Sequence, residues 1–405
     1  MKRANAIFKL RYIISPILFF TCCFGIYKNC AAQHSVPVIR ATRTDAIITD
    51  GKNVKVQWKI DPNLKPDIYY VNVPSKRSKV TLQTNEEKIS FITKPDKGYD
   101  FVVLLNKQDS CHIRISSVLP PSPLVLDYGN TFPKKIPFKL IGSRIYFTGR
   151  LNCKAVNIQF DLGAGTSVVS KLASDRLDLE FSKSTVVSNT SGIHKERTST
   201  SNVLDIDGLC WSGIEVTEVG NMQSYEDMII GNTLFRDKII EIDYEKMELT
   251  VHDQLPHKAK PYSGQPVYYE QDRPKFKANF MHNDKRYSGW FLFDTGRDGT
   301  MLIGEDITGQ GNNWKEFKEI MIANGRKVIR LDAVIAKTKI RDIITNAADP
   351  AIPQGRPSLF GNQILNHFNV ILDNKDGWIY LKPNSRATVP YSDYKSFLQQ
   401  AGPEK

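Results

Sequence analysis

The sequence contains few of the residues that build metal sites and disulfide frameworks. Three of its six cysteines lie within 1–33, which leaves Cys111, Cys153 and Cys210 for the rest of the chain. This odd number excludes a full disulfide framework, and two alternatives stay open: one bridge, for example Cys153 to Cys210, or three buried thiols. No paired Cys/His spacing occurs, and the seven histidines include no His-Glu-x-x-His. We therefore expect no metal site.

Long apolar runs and clusters of charge are also scarce. Beyond residue 33, no stretch is long and apolar enough to cross a bilayer. The chain has 55 Lys+Arg against 43 Asp+Glu, a net charge of +12. Five of these cations and no acid precede His34, so loss of that segment would leave +7. Because the basic residues are scattered, the charge does not favour a nucleic-acid partner.

The segment 1–33 has the pattern of a targeting sequence. Four basic residues at positions 2, 3, 9 and 11 precede an uncharged, largely apolar run at 12–27, and small residues follow at 30–33 (CAAQ). The run is short for a membrane span and contains Pro16, so we predict a cleaved signal peptide over 1–33 rather than an anchor. The residues before Cys22 and Cys23 fit a lipoprotein box poorly, so no lipid anchor is expected. The mature chain is predicted to be secreted or periplasmic, without a membrane span.

Helical periodicity is weak, and 171–177 and 314–323 are the better helix candidates. Short alternating segments bounded by turn residues follow the leader instead, at 54–60, 68–73, 88–92 and 99–105. They predict a small antiparallel β-domain over 34–118. Five prolines then mark 119–137 as a linker or an extended wrapping segment.

An internal repeat is the most informative feature of the sequence. The segments FTGRLNCKAVNIQF (147–160) and FMHNDKRYSGWFLF (280–293) each read as strand, tight turn and strand. Each is followed at once by Asp-x-Gly, in the first copy Asp161-Leu162-Gly163 and in the second Asp294-Thr295-Gly296. An apolar strand follows in both copies.

The second halves of the two copies also correspond. IIGN (229–232) follows Asp161 and LFGN (359–362) follows Asp294 at nearly the same distance along the chain, which places Gly231 and Gly361 in equivalent positions. Predicted hairpins follow at 239–251 and 370–381, the latter with an Asp-Gly turn. We predict two lobes of similar plan, 138–256 and 257–387, and a polar C-terminal tail at 388–405.

These motifs resemble the aspartic-protease superfamily, specifically bacterial single-chain proteins with two retropepsin-like or pepsin-like lobes. The resemblance covers about 138–387, and four motif pieces occur in the right order at matched spacings. It implies a mostly β, bilobal fold of two pseudo-symmetric β-barrel lobes, preceded here by the small antiparallel β-domain. It also implies that each lobe supplies one aspartate, Asp161 and Asp294, to a shared catalytic dyad.

The resemblance assigns roles to the residues around this dyad. Two close carboxylates share a proton, so that one acts as base towards a water while the other polarises the scissile carbonyl. Gly163 and Gly296 would shape the loops and Thr295 would brace them, and no cofactor or metal is required. A polar stretch at 182–202 is either a flap over the cleft or an ordinary surface loop.

Two positions depart from the family pattern. Leu162 stands where the family has Thr or Ser, which removes one of the two hydroxyls that link the loops. Arg297 stands where Ala, Ser or Thr is usual, and a guanidinium folded towards the dyad would lower the pKa of the carboxyls, whereas one pointing outward would do little.

Three functions are therefore weighed. The preferred one is a secreted aspartic endopeptidase that cleaves peptide or protein substrates with Asp161, Asp294 and an activated water. The first alternative is a catalytically impaired protein of the same fold that binds peptides or proteins in the cell envelope, and Leu162 and Arg297 favour it. An unrelated β-rich adhesin would make both Asp-x-Gly repeats a coincidence. Two motifs in one chain predict a monomer, because neither needs a second copy.

Overall fold

A computed structural model describes residues 36–52, 54–120, 124–126, 132–189, 192–323, 325–352 and 354–390. The predicted signal peptide and most of the predicted C-terminal tail lie outside these ranges. Within them the chain is mostly β, with four short α-helices. No helix in these ranges has the length and apolar character needed to cross a bilayer.

The N-terminal part, up to residue 116, contains eight strands with a core of their own. They are β1 (Val38–Ala41), β2 (Asp45–Asp50), β3 (Val54–Lys59), β4 (Asp67–Tyr70), β5 (Ser78–Gln83), β6 (Lys88–Thr93), β7 (Gly98–Leu105) and β8 (Asp109–Ser116). Two four-stranded sheets form, in the orders β1-β7-β8-β4 and β3-β2-β5-β6. Alternate side chains such as Ile48, Val80 and Leu82 are fully buried in this core, as strand geometry requires.

The prediction of an antiparallel domain is wrong for one of these two sheets. β1 pairs with β7 in parallel, and β4 pairs with β8 in parallel. Parallel neighbours need a long connection, and here that connection includes strands of the other sheet. Alternation in the sequence marks which residues form strands but not which strands become neighbours.

The next part of the chain, to residue 259, contains twelve strands. They are β9 (Leu124–Leu126), β10 (Lys134–Pro137), β11 (Lys139–Ile141), β12 (Arg144–Leu151), β13 (Lys154–Phe160), β14 (Val168–Ser170), β15 (Phe181–Asn189), β16 (Gly192–Ile206), β17 (Leu209–Val219), β18 (Met228–Ile230), β19 (Ile239–Asp243) and β20 (Glu248–His252). The helix α1 (Lys171–Ser174) and the 3-10 turns Asn232–Phe235 and His257–Ala259 lie between or after them.

The last part contains ten strands and three helices. The strands are β21 (Ser263–Glu270), β22 (Arg273–His282), β23 (Lys285–Asp294), β24 (Met301–Ile303), β25 (Met321–Ala323), β26 (Arg326–Ile335), β27 (Thr338–Ala347), β28 (Leu359–Gly361), β29 (Phe368–Asp373) and β30 (Trp378–Pro383). The helices are α2 (Glu305–Thr308), α3 (Asn313–Glu316) and α4 (Asn362–Leu365), and a 3-10 turn covers Ser385–Thr388.

Two barrel-like sheets result, and their strands pair in the same order. In the first, β13 pairs with β18 in parallel, β18 with β14 antiparallel and β14 with β17 in parallel. In the second, β23 pairs with β28 in parallel, β28 with β24 antiparallel and β24 with β27 in parallel. Additional pairings, β12 with β16 and β22 with β26, curl each sheet back on itself.

A run of six strands, β10-β20-β19-β29-β30-β21, extends from the second barrel-like sheet. The hairpins predicted at 239–251 and 370–381 lie at its centre, where β19 pairs with β29. One hydrophobic core is continuous through these six strands and both barrel-like sheets. This continuity holds the loop after β13 and the loop after β23 in a fixed relation.

The proline-rich segment agrees with one of its two predicted alternatives, whereas the predicted helices differ from expectation. Within 119–137, β9 pairs with β17 and β10 pairs with β20, so the described residues are an extended segment added to two sheets rather than a free linker. The helix predicted over 171–177 is the single turn α1. The helix predicted over 314–323 is wrong beyond Glu316, because β25 pairs there with β26.

Candidate active site

Two hairpins deliver the aspartates. β12 and β13 turn through Asn152 and Cys153, whose φ angles are 48° and 65°, and β22 and β23 turn through Asn283 and Asp284, at 46° and 59°. Two successive positive φ angles are typical of the tight turn that matches strand twist. Asp161 follows β13 directly and Asp294 ends β23, so each carboxyl lies where a barrel strand enters its loop.

The structure brings both carboxyl groups together. The backbone N–H of Gly296 donates to Oδ1 of Asp161 and to Oδ1 of Asp294, each at 3.1 Å. Gly163 donates to Oδ1 of Asp161 at 2.7 Å, and Arg297 donates its backbone N–H to Oδ1 of Asp294 at 3.0 Å. Charged acceptors form strong hydrogen bonds with backbone amides, so these bonds fix the two carboxylates side by side.

The glycines are required by this closeness. A methyl carbon at Gly163 would lie 2.7 Å from Cγ of Asp294, and one at Gly296 would overlap the carboxyl group of Asp161. Behind the loops, a methyl at Gly231 would overlap the carbonyl of Ala164, and one at Gly361 would overlap the carbonyl of Gly299. The glycine of each repeated motif therefore permits a close approach of backbone or carboxylate.

The surroundings of the carboxyls favour retention of a proton. Burial raises the pKa of Asp161 most, and the negative charge of Asp294 raises it further. Burial also raises the pKa of Asp294, although the charge of Arg297 and backbone hydrogen bonds oppose that rise. Both residues keep a partly exposed surface, so solvent can still reach the pair. Two such groups titrate as one coupled unit.

The raised pKa values of Asp161 and Asp294 predict an unusual dependence of folding stability on pH. Because the folded pKa values lie above those of the unfolded chain, the native state holds more protons, and its stability falls as pH rises from about 4 towards the raised values. Asp161→Asn removes one buried charge, so we expect it to raise the free energy of unfolding by about 1–3 kcal/mol at pH 8 and to change it little at pH 3.

Thermal melting of both proteins between pH 3 and pH 8 measures this difference. Asp284→Asn is the matched control, because Asp284 lies exposed in a turn and an asparagine tolerates its positive φ. An equal change of melting temperature at pH 3 and at pH 8 would show that the surroundings of Asp161 do not raise its pKa.

Thr295 links the two loops and Leu162 does not. The Thr295 hydroxyl donates to the carbonyl of Phe160 at 3.0 Å and accepts the backbone N–H of Leu162 at 2.9 Å. Both Thr295 and Leu162 are fully buried, and the Leu162 side chain belongs to the main hydrophobic core. The hydroxyl missing at 162 is thus replaced by apolar packing, and one threonine holds the crossing of the loops.

Replacement of Thr295 by valine tests this link. Thr295→Val keeps the shape but leaves the buried Leu162 N–H without its acceptor, so we expect a loss of about 1–3 kcal/mol in the free energy of unfolding. Thr295→Ser retains the hydroxyl and should lose about 1 kcal/mol for the missing methyl. Denaturant unfolding of the two variants compares them directly, and equal stability of Thr295→Val and the unchanged chain would refute a bracing role.

The guanidinium of Arg297 lies over the second loop. A methyl at Gly299 would lie 3.2 Å from Nε of Arg297, and one at Gly361 would lie 3.2 Å from its Cδ. Its positive charge lowers the pKa of Asp294. Arg297 therefore packs against Gly299 and Gly361, and of the two effects considered from the sequence, a lowered carboxyl pKa is the one that its charge has on Asp294.

Sequence reasoning missed two residues that hold the loop after β23 and two asparagines that hold neighbouring turns. Arg144 Nε and Gln159 Nε2 donate to the carbonyl of Gly296 at 2.9 Å and 3.2 Å. Asn232 Nδ2 donates to the carbonyl of Asp272 at 3.1 Å, and Asn362 Nδ2 donates to the carbonyl of Ser143. The two asparagines follow the glycine of each repeated motif, so the recurrence of Gly-Asn was a usable signal. No comparable pattern marks Arg144 or Gln159.

The remaining candidate ligands do not converge. Cys111 and Cys210 are buried free thiols and Cys153 is an exposed one, so the bridge between Cys153 and Cys210 that the sequence allowed is not formed. Among the residues that the structure describes, no group of three or more His, Cys, Asp or Glu side chains is arranged to hold a metal ion.

Comparisons with known proteins add little to this geometry. No model of a protein family matches the chain, and no curated protein matches it. Among solved structures, the chain is similar to the aspartic proteinase from Irpex lacteus, with 10% sequence identity and a TM-score of 0.44. That match covers 64% of this chain and 99% of the other. A similarity at this level assigns no family.

Proposed function

We propose that the chain is an aspartic endopeptidase with two pseudo-symmetric lobes, 138–256 and 257–387, and that residues 1–33 direct its export and are then cleaved off. One observation carries the proposal: the single N–H of Gly296 donates to the carboxylates of both Asp161 and Asp294. The same order of strand pairing around each aspartate supports two equivalent lobes.

The proposed mechanism follows from two coupled carboxyls in one place. One carboxylate accepts a proton from a water as the water attacks the scissile carbonyl carbon, and the protonated partner donates a hydrogen bond to the carbonyl oxygen. The pKa of Asp161 is raised by burial and by Asp294, which makes Asp161 the proposed proton holder. The leaving amine then takes a proton from the dyad, which returns to its singly protonated form.

Cleavage of a mixed peptide library tests this function. The chain lacking 1–33 would be incubated with the library at pH 3 to 8, and new termini would be identified by mass spectrometry. We expect internal peptide bonds to be cut, with activity that extends towards neutral pH because the shared proton is held tightly. No cleavage at any pH by a folded protein would instead favour the alternative of a peptide-binding module.

Arg297 provides a prediction about the acid side of the pH profile. Its charge lowers the pKa of Asp294, so Arg297→Ala should raise that pKa and shift the acid limb of kcat/KM to higher pH by about one unit. Arg297→Lys keeps the charge and should leave the limb close to its original position. Coincident acid limbs for the alanine and lysine variants would exclude Arg297 as a modulator.

A further inference from the structure

A cavity of about 1430 Å³ lies between the N-terminal sheets and the second barrel-like sheet. Residues of β3 and β4 line one side, and residues of β21, β22 and β23 line the other. Neither Asp161 nor Asp294 is among the lining residues, so the cavity is separate from the candidate dyad. It exceeds the roughly 300–1,000 Å³ typical of small-molecule sites, and its size suits a segment of polypeptide.

Three strands turn their edges towards this cavity. Among the strands that the structure describes, β3 pairs only with β2, β4 pairs only with β8, and the second half of β21 pairs only with β22. Consecutive residues of each strand line the cavity, at 55–58, 69–70 and 268–270. Successive side chains of a strand point to opposite faces, so consecutive lining residues mean that the backbone edge faces the cavity. Free edges of this kind accept an added strand.

On the edge of β21, a side chain already occupies the position that an added strand would take. The Asn72 amide accepts the backbone N–H of Tyr269 at 2.8 Å and donates to the carbonyl of Val267 at 3.4 Å. The amide thereby reproduces the pair of bonds that a neighbouring strand would make to β21. Because β21 is capped in this way, β3 offers the longest free edge to an incoming peptide.

The side walls indicate which peptide would fit. Trp58 and Tyr69 stand with ring centroids 5.9 Å apart on one wall, and Tyr268 and Trp290 stand 6.1 Å apart on the other. Such amphipathic rings favour apolar and aromatic side chains.

Charge adds a second preference. Each acidic side chain that lines the cavity contacts a partner: Glu270 with Lys275, Asp272 with Arg236, Asp237 with Lys238, and Asp306 with the Ser358 hydroxyl. Lys55 and Lys277 are exposed lining residues with no ion pair among the described residues. The cavity therefore has free positive groups and partnered carboxylates, which complements an acidic ligand.

We propose that this cavity binds an extended peptide segment, in which acidic residues alternate with apolar or aromatic ones, as an added strand on the edge of β3. Its backbone bonds to β3, its apolar side chains lie between the two aromatic walls, and its carboxylates face Lys55 and Lys277. This binding site does not depend on the proposed peptidase activity.

The test uses a fluorescein-labelled ten-residue peptide in which glutamate alternates with valine and tyrosine. Fluorescence anisotropy measures its binding to the full-length chain carrying Asp161→Asn, so that the probe is not consumed. Two further probes complete the set: one with lysine in place of glutamate, and one with methyl groups on alternate backbone nitrogens. We expect the first probe to bind and each of the others to bind about tenfold more weakly or not at all.

Variants of the protein locate the site. Lys55→Glu combined with Lys277→Glu should weaken binding of the first probe about tenfold or more. Lys88→Glu is the matched control, because Lys88 is exposed on β6, the opposite edge of the sheet that contains β3, and should change nothing. Thermal melting checks that both proteins are folded.

Several outcomes would overturn the proposal. They are no binding of the glutamate probe, binding that the double charge reversal leaves unchanged, and binding that backbone methylation leaves unchanged. The aromatic walls could instead stack against sugar rings. Binding of cellohexaose that Trp58→Ala abolishes, without peptide binding, would assign the cavity to a glycan.

Discussion

Replacement of either Asp161 or Asp294 by asparagine is expected to lower kcat/KM for any peptide that the chain cleaves by about 10³-fold or more. General acid and base catalysis by a positioned carboxyl contributes roughly 10²- to 10⁴-fold, and in the proposed mechanism one aspartate accepts the proton of the water while the other donates a hydrogen bond to the carbonyl oxygen. Asparagine is similar in size and can still accept the N–H of Gly296, so the loops should keep their fold. The expected loss of kcat/KM would then reflect lost catalysis and not lost folding.

The double variant makes this prediction sharper. Residues that act as one unit lose most of their function when either is removed, so the double variant should be no slower than the slower single variant. Asp284→Asn, in the exposed turn before β23, should retain full activity. Losses that multiply in the double variant would show that the two aspartates act independently, and full activity in either single variant would refute the dyad.

The candidate site could be predicted from the sequence because its motifs occur twice. One Asp-x-Gly is a common turn, whereas two copies, each preceded by a hairpin and followed at similar distance by an apolar-apolar-Gly strand, specify four positions together. The structure places Asp161, Asp294, Gly163, Gly296 and Thr295 within one network of hydrogen bonds.

The remaining features depend on contacts between distant segments. In the sequence, Leu162 indicated the loss of a hydroxyl that links the loops. The three-dimensional packing shows in addition that its side chain fills a fully buried position in the core. Arg144 reaches the carbonyl of Gly296 from far along the chain, which no local pattern encodes. The helix expected over 314–323 failed because pairing of Met321 with Val328 outweighs a weak helical periodicity.

A methyl group at position 296 should disable the site without unfolding the protein. Gly296 is not among the residues with positive φ, so alanine meets no backbone strain there. Its methyl would nevertheless overlap the carboxyl group of Asp161, which must then move away from Asp294. A displacement of about 1 Å in a catalytic group costs about 10²-fold in rate, so Gly296→Ala should lower kcat/KM by that factor.

Separation of the two carboxyl groups should also change the pH profile of kcat/KM. The charge of Asp294 helps to raise the pKa of Asp161, so a larger distance between the two groups should lower the pKa of Asp161 and shift the alkaline limb of kcat/KM to lower pH. Gly220→Ala is the matched control, since a methyl there meets no atom within 4 Å and should alter neither rate nor profile. A Gly296→Ala variant with reduced melting temperature but an unchanged alkaline limb would point to general destabilisation. A lowered limb in a stably folded variant would attribute the lost activity to the distance between Asp161 and Asp294.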